Sequence, residues 1–584
     1  MAAKPLSLKR EKARRVSKVQ EFTRVAEVLL DIDLPHLDQS FTYGIPGQLE
    51  DSVRVGALIR VPFNATELDG VVRSIRAVSQ GSFKPITKVL NQHAYSEKAI
   101  VFAQEVSKRY GCALLRILNL MPQLRQADAS KFQHANDATL RQFVPESART
   151  ITELKALLRR SDGTTLIFAP TEKEVRFLEA SLRRELGERV IAFDGWKKAK
   201  EDAGTERIII GMRGMIFIQV EHLSRIVIFD EASEHYWDQR APYWNLRDVS
   251  LVRSRLEGIS VTFISGAPSL ELKRLADSGY LALGKSSKSF LRRRRFSVSP
   301  ESFHATVRRG LDKGSVLVSV ASKNYANALI CKRCNEVPKC ICGFPLKLVR
   351  KESAFCIICG TSESSLRCRS CESLEFLHVG KGIERIQEEF GKTFPNVAIH
   401  VVTAEKELTS IPSRSIVIST PGVEPRLVQY AGLVLMDGTA RVSRPTLRAE
   451  EQVRNHWFRL IALTTADAPV YISLPNAHSV TQSLIANDPY RNLGRAIEER
   501  TDAKLPPRYR IIKVKGETVS SLASKLKSEF SDIELSRISK SDELIIRVEV
   551  SLAQELISAL YTLQKYRSAS GKTLLPYEID PSDI

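Results

Sequence analysis

The sequence predicts a multidomain α/β protein, and three observations carry that prediction. Apolar strands alternate with amphipathic helices from Ile151 onward, and a second such set begins near Lys313. Eight of the nine cysteines crowd between Cys331 and Cys371, inside the second set. The 584 residues suffice for about four domains of ordinary size.

Taken in order, residues 1–22 read as a basic disordered tail. Lys4, Lys9, Arg10, Lys12, Arg14, Arg15 and Lys18 stand there without apolar periodicity. Residues 23–95 read as a β-rich domain, with VAEVLLDIDL, SFTYGIP, VGALIRVPF and LDGVVRSIRAV as strands between turn residues. Residues 96–147 open with a helical pattern and close as a polar linker. Residues 148–290 form a first lobe. ELKALLRR and EKEVRFLEASLRREL are its helices, set among the strands TTLIFAP, RVIAFD, RIIIGM, RIVIFDEA and VTFISGAP. Residues 291–478 form a second lobe on SVLVSVA, AIHVVTA, SIVIST, LVLMDG and PVYISLP, with a cysteine module, 329–376, inserted after its first strand. Residues 479–584 read as a small α+β domain around RYRIIKVKGE and ELIIRVEV. In both lobes, buried strands alternating with helices predict a parallel sheet covered on both faces.

The cysteines fall into four close pairs: Cys331/Cys334, Cys340/Cys342, Cys356/Cys359 and Cys368/Cys371. Three pairs are C-x-x-C and one is C-x-C. The first spacing turns two thiolates toward one zinc ion at about 2.3 Å. Eight thiolates make two closed Cys₄ sites with no position for catalytic water, which is a structural role. The competing reading is a disulfide or redox cluster. It suits small secreted chains, whereas this chain is long and holds one further cysteine, Cys112. Reduced metal-spaced cysteines point to the cytoplasm.

Lys and Arg number 87 against 67 Asp and Glu, a net charge of +20. That excess fits a polyanion partner, above all nucleic acid. The bland alternative is a soluble protein that is merely basic. No run of 18 apolar residues suggests a membrane partner, and the N-terminus lacks the apolar stretch of a secretory signal. Tyr236, Trp237, Tyr243 and Trp244 interleave with Arg240 and Arg247. Exposed rings of this kind stack on unpaired bases for about 1–3 kcal/mol each; the alternative is that they pack between lobes. Arg292, Arg293, Arg294 and Arg295 form a solvated basic run and a candidate phosphate contact.

In chain order, several segments resemble one family, that of primosomal protein N′, the PriA-type replication-restart DNA helicases of bacteria. VAEVLLDIDL…SFTYGIPGQL…VGALIRVPFN…LDGVV resembles the family's N-terminal 3′-end-binding domain. IVIFDEASEHYWDQRAPYW resembles its DEEH box and the aromatic loop that follows. ISGAPSLE resembles its S-A-T-P-S-L-E, and YANALICKRC leads into the cysteines as in the family. VGKGIERIQEEF resembles its G-x-G-T-E run, and LPPRYRIIKVKGE with the terminal IDPSDI resembles its last domain.

The resemblance implies two RecA-like lobes and a 3′-end pocket in the region of Phe41, Tyr43, Arg60 and Phe63. It also implies a zinc pairing in which Cys331, Cys334, Cys368 and Cys371 hold one ion and Cys340, Cys342, Cys356 and Cys359 hold the other. The tighter Cys340-Ile341-Cys342 departs from the family spacing.

Three departures touch the motor. No G-x-x-x-x-G-K-[ST] occurs anywhere, so the glycines, Lys and hydroxyl that cradle phosphate and Mg²⁺ are missing. Asp230 and Glu231 remain where the family has its Mg²⁺ acid and water-activating acid, but Ala232 and Ser233 follow them; the pair reads as vestigial, free to face an arginine or a helix N-terminus. The family's G-T-Q-M is here Ser419-Thr420-Pro421-Gly422. Its two late arginines, which stabilise the transferring phosphoryl group, fall on Leu463 and Ala466. A winged-helix segment does not fit between Gln126 and Ser147.

The expectation is therefore a primosome-assembly protein that binds forked or D-loop DNA at single-strand/double-strand junctions without unwinding it. Its partners are primosome and single-strand-binding proteins, its cofactor is zinc (two ions), no phosphate site for ATP is found, and its place is the nucleoid. The alternatives are an ATP-dependent 3′→5′ helicase with a cryptic nucleotide site and a non-enzymatic zinc-stabilised scaffold.

Overall fold

A computed structural model describes residues 20–124, 139–194, 207–220, 222–284, 294–321, 328–334, 336–341, 346–350, 353–356, 361–363, 366–379, 383–538 and 542–583. The chain divides into two compact units. One comprises Met1–Gln133, Phe217–Glu221 and Gln554–Leu574; the other comprises His134–Ile216, His222–Ala553 and Leu575–Ile584.

The first unit is built on β1 (Gln20–Leu30), β2 (Ser40–Gly44), β3 (Leu58–Phe63), β4 (Thr66–Phe83) and β5 (Lys88–Asn91), an antiparallel sheet in the order β2-β1-β4-β3-β5. Alternation sends Val28, Ile59, Val61 and Val72 into its core. The sheet begins at Gln20, inside the stretch expected as tail; the rest of that tail lies outside the described residues. Helices α1 (Glu97–Tyr110) and α2 (Leu114–Leu118) follow. Ser96 caps α1 by accepting from Ala99 N, as a helix start requires. Residues 554–574, expected with the C-terminal domain, belong to this unit: Tyr561 donates its hydroxyl to Asp38 Oδ2 at 2.6 Å, and Lys565 Nζ donates to Asp38 O at 2.8 Å.

The second unit holds the two lobes. The first lobe contains β6 (Arg141–Pro145), α3 (Thr150–Arg159), β7 (Thr164–Phe168), α4 (Glu172–Leu186), β8 (Val190–Ala192), β9 (Ile208–Gly211) and β10 (Leu223–Phe229). It continues with α5 (Leu246–Glu257), β11 (Ser260–Ser265), α6 (Leu270–Asp277) and β12 (Ala282–Leu283). Its seven strands are parallel, in the order β12-β6-β11-β10-β7-β9-β8. Strand β6 corrects the expected linker. Arg141 and Gln142 make it look polar, but Phe143 is fully buried and β6 pairs with β11 through Val144↔Ile264.

The second lobe contains β13 (Phe296–Ser297), α7 (Ser302–Leu311) and β14 (Val316–Ser319), then the cysteine module. After the module come α8 (Ile383–Thr393), β20 (Ala398–Val402), β21 (Ser415–Ser419), β22 (Gly432–Leu435), α9 (Gly438–Val442), α10 (Ala449–Ala462) and β23 (Val470–Ile472). Its six parallel strands run β13-β23-β22-β14-β21-β20. The module's strands are β15 (Ala328–Cys331), β16 (Lys347–Arg350), β17 (Ser353–Phe355), β18 (Ser362–Glu363) and β19 (Phe376–Val379). Helices α11 (Ser479–Ala486) and α12 (Leu493–Asp502) lead to β24 (Tyr509–Lys515), α13 (Val519–Glu529), β25 (Ile533–Ile538), β26 (Glu543–Glu549), α14 (Ala553–Ala569) and β27 (Tyr577–Ile579). These last strands form an antiparallel sheet, β25-β26-β24-β27. The whole is the multidomain α/β architecture that the strand–helix alternation predicts. Among the described residues no helix is long and apolar enough to cross a membrane.

Candidate functional site

Parallel strands of one sheet end together, so the residues just past β6, β11 and β10 meet along one crevice. Glu146 N donates to Ser265 O and Asp230 N to Ile264 O, each at 2.7 Å. Helix α10 of the second lobe lies across these strand ends. Its residues Glu451, Asn455 and Arg459 recur every four positions and so share one face. Glu451 accepts from Leu270 N at 3.0 Å. Asn455 Oδ1 accepts from Gly266 N at 2.9 Å, while its amide donates to Asp230 Oδ1 at 2.6 Å. Arg459 donates to Asp230 Oδ2 at 2.6 Å, to Glu146 Oε2 at 2.9 Å, and to Glu174. Arg426, also of the second lobe, donates to Glu146 Oε1 at 3.0 Å and lies over the Phe177 ring. The approach needs glycine at 266, because a Cβ there would stand 2.2 Å from Asn455 O and 2.7 Å from Arg459 N.

Three carboxylates thus share two guanidiniums in a buried setting. Burial pushes the Glu146 carboxyl up, but Arg426 and Arg459 outweigh it and hold it below its ordinary value. Asp230 is raised, first by burial and then by the Glu174 and Glu146 charges, against the pull of Arg459. Arg459, desolvated yet ringed by Asp230, Glu146 and Glu174, is held well above its ordinary value.

Glu231 faces the other way. Arg247 Nη1 donates to it at 2.9 Å, and Ser269 at the start of α6 donates its hydroxyl at 2.8 Å. Burial lifts the Glu231 carboxyl despite Arg247, which also serves Asp248 and Glu271. The pair therefore sits against arginines and a helix start.

The aromatic loop turns inward. Tyr236 is buried and donates its hydroxyl to Phe229 O. Trp237 is buried, donates Nε1 to Asp580 O at 3.1 Å, and lies under the Arg448 guanidinium. Trp244 and Arg247 are buried as well, which leaves Arg240, with 88% of its side chain exposed, as the loop's accessible cation. Packing therefore claims Tyr236, Trp237 and Trp244, while Tyr243 is half-buried. Arg292 and Arg293 lie outside the described residues. Their neighbour Arg294 caps the end of α10, donating to Ile461 O at 3.2 Å.

In the first unit, Phe41 and Phe63 meet edge to face at 5.5 Å and pack on the core. Tyr43 is buried, donates to Pro62 O at 3.2 Å, and has its hydroxyl pushed up to about 12 by burial. Arg60 is partly exposed and pairs with Asp69 at 2.8 Å. Phe41, Tyr43 and Phe63 thus gather on the core side of β2 and β3, while Arg60 leaves the other face of β3 toward Asp69.

In the module, the sulfurs of Cys331, Cys334, Cys368 and Cys371 all lie within 4.8 Å of one another, with Cys331–Cys371 and Cys334–Cys368 at 3.4 Å. A tetrahedron with arms of about 2.3 Å has edges of about 3.8 Å, so the four thiols could hold a metal ion. Each C-x-x-C turn closes in the same way: Cys331 N donates to Glu336 O, Cys356 N to Thr361 O and Cys368 N to Ser373 O, at 2.8–2.9 Å. Cys342 and Cys359 of the second expected set lie outside the described residues; Cys340 and Cys356 are buried.

Sequence reading missed Glu146, Glu174, Arg426 and Arg459. The every-fourth spacing of Glu451, Asn455 and Arg459 on one helix was the available signal, though Glu450, Gln452, Arg454 and His456 on the same helix dilute it.

Fold and site together define a multidomain protein of two parallel-sheet α/β lobes with a cysteine module suited to a metal. Residues 27–122 match the family model of the 3′ DNA-binding domain. Through most of its length the chain is similar to replication restart protein PriA, as the motifs implied. The probable PriA of Mycobacterium leprae is 24% identical, over 83% of this chain and 87% of that protein. That of Mycobacterium tuberculosis H37Rv is 25% identical, over 83% and 86%. Among solved structures, S. cerevisiae Dbp5 bound to RNA and ADP BeF3 matches at TM-score 0.33 and 11% identity, over 68% of this chain and 91% of that one.

Proposed function

We propose that this chain is a replication-restart protein that binds branched DNA and hands it to partner proteins without unwinding it. One observation carries the reading: residues 27–122 match a 3′ DNA-binding domain in a chain whose β6–α3 connection is only Glu146, Ser147, Ala148 and Arg149. A phosphate loop needs eight residues with two glycines and a Lys; this connection has none of them. The +20 charge supplies attraction to phosphates that weakens steeply with salt. Arg60 with the edges of Phe41 and Phe63 forms the candidate 3′-end contact, and Arg240 a candidate phosphate contact, with Arg292 and Arg293 beside it in the expectation. The metal is zinc, two ions, in a structural role; partners are primosome and single-strand-binding proteins; the place is the cytoplasm, at the nucleoid.

The test compares forks carrying a free 3′ end with plain duplex at equal salt, alongside ATP hydrolysis with and without DNA. Fork preference without hydrolysis supports the reading. DNA-stimulated hydrolysis above a no-enzyme blank replaces it with the helicase, and no fork preference replaces it with the scaffold.

A further inference from the structure

We propose that the Glu146 carboxylate stands where a nucleotide's terminal phosphate would, so that Arg459 and Arg426 of the second lobe hold the lobes shut with no ligand bound. This rests on the reading of the chain as a DNA binder without a motor, and adds how such a chain keeps its lobes together.

The argument starts from position. Open α/β sheets bind ligands just past the carboxyl ends of their strands, and a phosphate loop joins a strand to the helix after it. Glu146 is the first residue past β6 and leads into α3. It stands beside Asp230, the first residue past β10, with only the end of β11 between them. The second strand of argument is chemistry. Arginine reads carboxylate and phosphate through the same planar fork, and an arginine from outside the phosphate-binding lobe is the usual partner of a terminal phosphate. Here each Glu146 oxygen takes one guanidinium, Oε1 from Arg426 and Oε2 from Arg459, and both arginines come from the second lobe. The third is burial: Glu146 has 6% of its side chain exposed and Arg459 11%. Closure then brings Asn455 onto Gly266 and Glu451 onto Leu270. In a motor these contacts form and break as nucleotide comes and goes; here the anion is part of the chain and cannot leave.

The experiment uses the full chain without DNA and follows amide hydrogen exchange at 264–270 and 449–462, with circular dichroism to verify the fold. In the wild type, Mg-ATP and inorganic phosphate leave exchange unchanged. In Glu146→Ala it accelerates by about a hundredfold, the scale set by removing one partner of a buried ion pair. Inorganic phosphate, against chloride at equal ionic strength, then restores protection. Gly266→Ala wedges the lobes apart with the charges intact, and phosphate does not rescue it. Unchanged exchange in Glu146→Ala overturns the proposal, as does faster exchange that phosphate fails to reverse, or added protection of the wild type by Mg-ATP. If Glu146→Ala does not fold, the wild-type response to Mg-ATP and the Gly266→Ala response decide alone. Fork binding by the wild type is scored separately, so its loss removes the functional reading and leaves the latch result standing.

Discussion

Arg459, on a helix of the second lobe, donates to Asp230, the residue just past a central strand of the first, at 2.6 Å. In a nucleotide motor that aspartate would face a hydrated magnesium ion; here its oxygens are taken by Arg459 and Asn455. Second-lobe side chains thus occupy the place in front of this carboxylate.

Asp230 and Glu146 should respond in opposite ways to neutralisation. Glu146 is held below its ordinary value, so its contribution is complete above the ordinary carboxylate range and is lost as pH falls through the lowered value. Asp230 is raised, so the folded chain binds the extra proton and loses stability as pH rises from the ordinary aspartate range through the raised value. Glu146→Gln should cost about 3 kcal/mol at neutral pH, and Asp230→Asn about 1 kcal/mol or less. Relative to wild type, Asp230→Asn should improve as pH climbs. Urea midpoints at several pH values measure both, and a worsening trend for Asp230→Asn would count against the charge surplus.

Gly266→Ala should destabilise by about 1–3 kcal/mol through overpacking, because the new methyl meets backbone atoms of α10 that cannot rotate away. Thermal melts check it; an unchanged midpoint means α10 does not sit so close in solution.

Arg247→Ala should cost about 3–5 kcal/mol. It strands Glu231, whose side chain is wholly buried. Glu231→Gln should leave fork affinity at the wild-type value, since the carboxylate holds α5 and α6 together and faces no solvent. Denaturation and fork titration together settle the two halves.

Atomic spectroscopy should find two zinc ions per chain. Cys368→Ser removes one of the four thiols gathered within 4.8 Å and should bring the content to one. A mutant that retains two places the metal elsewhere.

On DNA, Arg240→Ala should lower the slope of log affinity against log salt by about one. Tyr236→Phe, which loses only the hydroxyl bond to Phe229 O, should cost about 1 kcal/mol of stability and leave fork affinity alone. A large affinity loss in Tyr236→Phe would return that ring to the DNA surface.

The strands of the lobes were legible because they are buried on both faces: IVIF of β10 and IVI of β21 are unbroken apolar runs. Strand β6 was not, since Arg141, Gln142 and Pro145 surround a single buried Phe143 at the sheet's flank. The cysteine knuckles were legible because each closes on itself within six residues. The aromatic loop gave rings and arginines but no way to tell stacking from packing; Asp580, which fixes Trp237, is remote in the chain. The same holds for the latch: the stripe on α10 is local, while Glu146, Glu174 and Asp230 come from another lobe. Helix α14 joins the N-terminal unit through Asp38, a pairing no local pattern announces.

The cysteine module enters and leaves the second lobe through two strands zipped to each other, β15 against β19, from Ala328↔Val379 to Cys331↔Phe376. Such a stem isolates its guest from its host. The opposite end is different: Cys340, Leu346 and Cys356 pack with Leu447 of the second lobe, with Leu505, and with Ile511 and Ile545 of the terminal sheet. The knuckles are thus grafted on one domain and wired to another. Disturbance of the thiols would be felt as slackening of β24 and β26 and of the Leu447 turn that leads into α10.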